Sequence, residues 1–130
     1  MKRSFVLSVF PVIATLLFLS CSASKQFEPM PKNLDREKVP TQTIDMTAER
    51  FHYTPDEIHV KQGTLLTLKI KSIQATHGFN IGEFGIDLTL EEGVTNTVEI
   101  YLSQKGEYTY RCSHFCGIGH LGMNGTLYVE

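Results

Sequence analysis

At 130 residues, 42% apolar and 20% charged, the chain has material for one ordinary globular domain and not for two. The formal charge of −2 understates an acidic balance. Setting aside Lys2 and Arg3, which fall in a segment read as removable, ten basic side chains face fourteen acidic ones, and that argues against a nucleic-acid partner.

Lys2 and Arg3 precede the apolar run FVLSVFPVIATLLFLS and then Cys21. The run falls short of the roughly 20 apolar residues that a membrane span needs, and it contains Pro11. Residues 1–20 therefore read as an export signal, with a short uncleaved anchor as the alternative. Cys21 follows small Ser20 at the place where a bacterial lipobox carries its lipidated cysteine, although Phe18 replaces the usual Leu three residues upstream. The expectation is an exported, membrane-anchored lipoprotein facing the periplasm or the cell exterior, lipidated on Cys21. A free or disulfide-bonded Cys21 is the other reading. Residues 21–40 mix charge, Ser and Pro without periodicity and read as a flexible linker, with a reach on the order of 25 Å.

From residue 42 onward the pattern has a period of two, punctuated by Gly and Pro, and residues 41–130 are assigned to the folded domain. TQTIDMTA alternates, and EIHVKQG ends at Gly63, which can supply the positive φ of a turn. TLLTLKIKS follows as the strongest strand, with Leu66, Leu68 and Ile70 on one face and Thr67, Lys69 and Lys71 on the other. GFNIG, GIDLTL, TNTVEIYL, GEYTYRC and NGTLYVE continue in the same way, and no stretch has the pattern of an amphipathic helix. Seven to eight short strands predict an all-β, antiparallel sandwich whose end loops are the natural place for a site.

Between GEYTYR and NGTLYVE lies CSHFCGIGHLGM, which places Cys112, Cys116, His120 and Met123 at offsets of four, four and three. Gly117, Gly119 and Gly122 let such a loop fold back on itself, so that ligands converge. Singly, each donor has a plainer role: Met fills cores, His sits at surfaces, and paired Cys in exported proteins form disulfides. A disulfide, however, gives no reason for His and Met at short fixed offsets in the same loop. Thiolate, imidazole and thioether together are the soft set that selects copper. His77, in ATHGFNIG, is placed to add a further donor. The loop is expected to sit on a sandwich core that does not depend on it. His52 and His59 read as exposed strand residues.

The pattern Cys-x3-Cys-x3-His-x2-Met, with the upstream His77 in HGF, resembles the binuclear copper A (CuA) domain of cytochrome c oxidase subunit II. The C-terminal domain of nitrous oxide reductase shares it. The likeness covers about residues 42–130 and is to the small subunit II of minimal bacterial oxidases. It implies a cupredoxin-like Greek-key sandwich holding two copper ions. Cys112 and Cys116 would bridge both ions, His77 and His120 would bind one each, and Met123 and the backbone carbonyl of His114 would be the weak axial donors. The family usually has Glu or Gln at the place of His114; only the carbonyl is needed, so the side chain is expected to face solvent.

The resemblance also implies partners: a c-type cytochrome or other donor, and a haem-copper oxidase catalytic subunit as acceptor, reached from a lipid anchor. Nothing in the loop offers a nucleophile with an orienting base, so no catalysis is expected of this chain alone. The chain departs from the family in having no Trp; its counterpart of the aromatic run near the copper is Phe51, His52 and Tyr53. A mononuclear cupredoxin using His77, Cys116, His120 and Met123, and a copper carrier or assembly factor, are the alternatives. A Sco-like chaperone would need a thioredoxin-type βαβ pattern that the sequence lacks.

Overall fold

The structure, a computed structural model, describes residues 30–130. The expected export signal, Cys21 and the first part of the expected linker lie outside the described residues.

Alternation of apolar and polar residues gives nine strands among the described residues: β1 Thr41–Glu49, β2 His52–Thr54, β3 Glu57–Val60, β4 Leu65–Ser72, β5 His77–Ile81, β6 Ile86–Leu90, β7 Thr95–Tyr101, β8 Gly106–Arg111 and β9 Asn124–Val129. They form two sheets, one in the order β2-β1-β4-β7 and the other in the order β3-β9-β8-β5-β6. Besides the strands, two short 3-10 turns occur at Gly82–Phe84 and His120–Gly122. The ninth strand, unforeseen in the sequence, is β2, whose three residues are too few to show a period.

The sheets are mixed rather than purely antiparallel: β1 runs parallel to β4, and β3 parallel to β9. The cause is the path of the chain, which leaves the first sheet after β2, visits the second as β3 and returns beside β1 as β4. A period of two reports which face a side chain takes, not the direction of its neighbour.

Leu66, Leu68 and Ile70 of β4 are at most 1% exposed, while Lys69 and Lys71 point to solvent, as the alternation requires. Each such side chain contributes about 1.5–3 kcal/mol on burial. Gly63 takes φ +82° in the turn before β4. At one end of the sandwich Tyr53, Phe79 and Tyr110 pack edge-on or tilted, with ring centroids 5.3–5.8 Å apart. This aromatic floor joins β2, β5 and β8 beneath the loop that follows β8.

Residues 30–40 form two turns, with Leu34 N–H donating to Pro31 and Lys38 N–H to Asp35. Arg36 pairs with Glu99 of β7, and Leu65 N–H donates to the Pro40 carbonyl at 2.8 Å. Among the described residues no helix is long and apolar enough to cross a membrane.

The sandwich should be sensitive at its shared face and indifferent outside it. Leu68→Ala is expected to cost about 2–5 kcal/mol in urea unfolding. Its neighbour Lys69→Ala should stay within about 0.5 kcal/mol of the parent.

Candidate metal centre

The ladder between β8 and β9 ends at Arg111 and Asn124. One further backbone bond, Cys112 N–H to the Met123 carbonyl at 3.0 Å, closes the neck of the loop. Within it, His120 N–H donates to Gly117, Gly122 N–H to Gly119 and Met123 N–H to His120, at 3.0–3.2 Å. These i to i+3 bonds wind residues 117–123 into a tight coil, which brings positions separated by three and four residues to one side.

The sulfur of Cys116 is the hub. It lies 3.7 Å from Cys112 Sγ, 3.8 Å from His120 Nδ1 and 3.9 Å from Met123 Sδ. Both cysteines are free thiols, well beyond the roughly 2.05 Å of a disulfide. The His114 carbonyl accepts from Cys112 Sγ at 3.0 Å, and the His114 side chain is exposed, as the sequence suggested. From the other side, His77 opens β5 at 0% exposure, and one of its ring nitrogens and the two thiol sulfurs all lie within 4.8 Å of one another.

His77 provides the test of whether a metal fits. Neither of its ring nitrogens makes a hydrogen bond of normal geometry, the nearby Ile73 backbone included, although both are fully buried. A polar group so placed costs free energy unless something binds it. Burial holds its pKa below the ordinary value against the opposing pull of the Ile73 backbone, so the ring is held neutral, the state a metal takes up. Two thiols, two imidazoles and a thioether make a set that fits a soft metal, copper above all. Burial, and then the adjoining Cys112 thiol, push the Cys116 thiol up to about 11, so metal uptake at Cys116 displaces a proton.

The structure corrects the expectation that the core is independent of the loop. Cys112 and Met123 are 6% and 1% exposed and belong to the hydrophobic core itself. Cys116 and His120 are half-buried, nearer the surface. His52 and His59 are exposed strand residues facing the carboxylates of Glu49 and Glu130.

Three supports hold the loop, of which the sequence reading named only Phe51, as part of an aromatic run and not as a clamp. Gly78 N–H donates to Cys112 Sγ at 3.3 Å. Ser113 Oγ donates to Asp87 of β6, tying the first turn of the loop to the sheet. Phe51, at φ +68°, lays its ring on the loop so closely that a Cβ at Gly119 would fall 2.3 Å from Phe51 Cγ. Gly78, inside strand β5 directly after His77, is a sequence signal of close backbone approach. The aromatic run marks Phe51, but nothing local marks its hold on the loop, because that contact spans the fold.

The mouth of the site is apolar. Phe115, Ile118 and Leu121 are 75%, 101% and 94% exposed on the same loop, and no Asp, Glu, Lys or Arg occurs from residue 112 to residue 129.

Residues 11–129 match the family described as Cupredoxin-like domain. Two Thermus thermophilus sequences named cytochrome c oxidase subunit 2 are each 35% identical over 88 residues, or 68% of this chain. The aligned part spans 65% and 52% of those relatives' own lengths. Nitrous-oxide reductase of Ralstonia nicotianae is 28% identical over 92 residues, covering 68% of this chain and 14% of that enzyme. Among solved structures, a heme-copper terminal oxidase dimer contains a chain that superposes with a TM-score of 0.67 at 23% identity, over 75% of this chain and 69% of that one. That likeness is one of fold.

The clamp can be tested without metal. Gly119 has φ −86°, which Ala adopts freely, so only the Phe51 ring opposes a methyl group there. Gly119→Ala is expected to lower unfolding free energy by about 1–3 kcal/mol. In the Phe51→Ala background most of that cost should vanish, a coupling of about 0.5–3 kcal/mol in a double-mutant cycle. Additive costs would mean that the ring does not hold the loop.

Proposed function

The chain belongs to the cupredoxin-like family, and from that premise we propose that it is a binuclear copper A electron-transfer domain of the cytochrome c oxidase subunit II type. It takes electrons from a c-type cytochrome and passes them toward a haem-copper oxidase catalytic subunit. The observation that carries this reading is the cysteine pair: two free sulfurs, 3.7 Å apart, opening on one space lined by imidazole, thioether and a backbone carbonyl. A site for one copper would leave one of these thiols without a task.

In this reading Cys112 and Cys116 would hold the copper through their thiolates, with His77 and His120 as imidazole donors and Met123 and the His114 carbonyl as further donors. Copper held in this way supplies one-electron exchange, with the change of charge spread over two metals and two sulfurs. The residues of the chain supply stiffness. Cys112 and Met123 are locked in the core, the neck is closed by a backbone bond, and Phe51 covers the coil. Donors that move little between redox states suit electron transfer. Cys112, 6% exposed, is poorly placed to hand metal to another protein, which speaks against a carrier role.

The apolar mouth supports a docking role. Three exposed apolar side chains on one uncharged stretch of chain fit a partner whose own rim is apolar. We read residues 1–20 as the export signal, Cys21 as the lipidated residue and 21–40 as the tether. Together they hold the domain of 41–130 at a membrane, on its periplasmic or exterior side.

The test is copper content together with the paramagnetic resonance spectrum of the purified chain. Two coppers per chain and hyperfine splitting from two equivalent nuclei are expected; one copper, or a single-nucleus pattern, would overturn the reading in favour of a mononuclear cupredoxin. Cys116→Ser should lose the two-nucleus signal while staying folded, and Met123→Leu should keep both coppers and shift the potential. For docking, Ile118→Lys combined with Leu121→Lys should slow electron uptake from a c-type cytochrome by about tenfold or more in stopped-flow mixing, with an unchanged optical spectrum. An unaltered rate would place the docking surface elsewhere.

A further inference from the structure

Strands β5 and β8 share one register pair, Asn80 with Arg111. Continuing the antiparallel register sets Gly78 against Ser113, and the two do lie together, but no backbone hydrogen bond joins them and the ladder stops. On that side the two backbone groups of Gly78 find other partners. Its N–H donates to Cys112 Sγ at 3.3 Å, and its carbonyl accepts from the Tyr53 phenol at 2.6 Å.

Gly78 is tightly placed and yet conformationally free. A Cβ there would lie 2.4 Å from Ser113 Oγ and 2.5 Å from the backbone nitrogens of Ser113 and His114, so only Gly fits. Gly is also the residue whose backbone is least restrained by its own chemistry. On one side the β6 register sets Gly78 opposite Thr89; on the side where the β8 ladder stops, Tyr53 is placed to restrain it. Its ring is 2% exposed and meets Phe79 and Tyr110 edge-on at 5.8 and 5.3 Å. Tyr110 is in turn tied through its hydroxyl to the Pro55 carbonyl at 2.9 Å.

We propose that Tyr53 is a positioning residue for the metal centre: its phenol fixes the Gly78 backbone, which holds the N–H to sulfur hydrogen bond on Cys112 and thereby sets the reduction potential. Tyr53 itself need not touch the metal. A hydrogen bond to sulfur stabilises the more electron-rich, reduced centre more than the oxidised one, so it raises the potential. Loosening Gly78 weakens that bond and lowers the potential. The inference rests on the copper reading above.

The test uses the full chain in two states. In the metal-free, nitrogen-15-labelled chain, the Gly78 amide should exchange slowly with solvent, and Tyr53→Phe should speed it by about tenfold or more while amides of β4 keep their protection. In the copper-loaded chain, Tyr53→Phe should shift equilibrium with a one-electron mediator about three- to tenfold toward the oxidised form, tenfold being 59 mV. Phe79→Leu, which loosens the same aromatic floor without removing a hydrogen bond, controls for packing; it should lower thermal stability and leave the potential in place.

A fast-exchanging Gly78 amide in the parent chain overturns the inference with no variant needed. So does an unshifted potential in Tyr53→Phe, or an equal shift in Phe79→Leu. A parent chain that takes up no copper shows at the loading step that the functional reading has failed, and the tuning role falls with it. The amide measurement still reports separately whether Tyr53 holds Gly78.

Discussion

The parting of β5 from β8 beyond Asn80 and Arg111 is the constraint on which the metal end of the molecule depends. Two strands that stayed paired would carry the backbone ladder on from Asn80 and Arg111 to Gly78 and Ser113, which lie against each other here without a backbone hydrogen bond. Because they part, His77 is left at the head of β5 in a fully buried position, and Cys112 turns inward at the end of β8. Splaying strands leaves backbone groups to be satisfied, and a buried N–H or carbonyl without a partner is costly. Here the Cys112 sulfur and the Tyr53 phenol take the places that a strand neighbour would have filled. The hydrogen bonds of the interrupted ladder thus become part of the surroundings of the site.

The donors are graded from interior to surface. Cys112 and Met123 are members of the hydrophobic core, Cys116 and His120 are half-buried, and Phe115, Ile118 and Leu121 stand out in solvent. Interiors packed to crystal-like density transmit constraint, so ligands embedded there share the rigidity of the whole sandwich. The exposed rim is the opposite case: Phe115, Ile118 and Leu121 stand in solvent on a stretch with no charged residue from 112 to 129. Burial fixes the geometry of the donors, and the rim keeps them within reach.

The far end of the sandwich carries none of this chemistry. His59 stacks on Tyr128 with centroids 4.6 Å apart and pairs with Glu130 at 3.0 Å, both exposed. An ion pair so placed contributes about 0–1 kcal/mol. The contrast with His77 is one of surroundings: both are strand histidines, but one is solvated beside a carboxylate and the other is buried with both nitrogens unpartnered. Residue type alone did not separate them.

What the sequence determined by itself is what short-range spacing can encode. Alternation fixed which faces of β4 and its neighbours are buried, because successive side chains of a strand must point to opposite sides. The offsets from Cys112 to Met123 placed four soft donors in one glycine-rich loop, where a tight coil brings them together. The tertiary structure alone decided the parallel pairing of β1 with β4, the short strand β2, the burial of two donors in the core, and the hold of Phe51 and Tyr53 on the loop and on Gly78. The β1–β4 pairs lie 24 positions apart in the chain, and Tyr53 and Gly78 lie 25 apart. Which strands become neighbours, and where two of them part, is settled by packing two sheets into one core, and no local pattern carries that information.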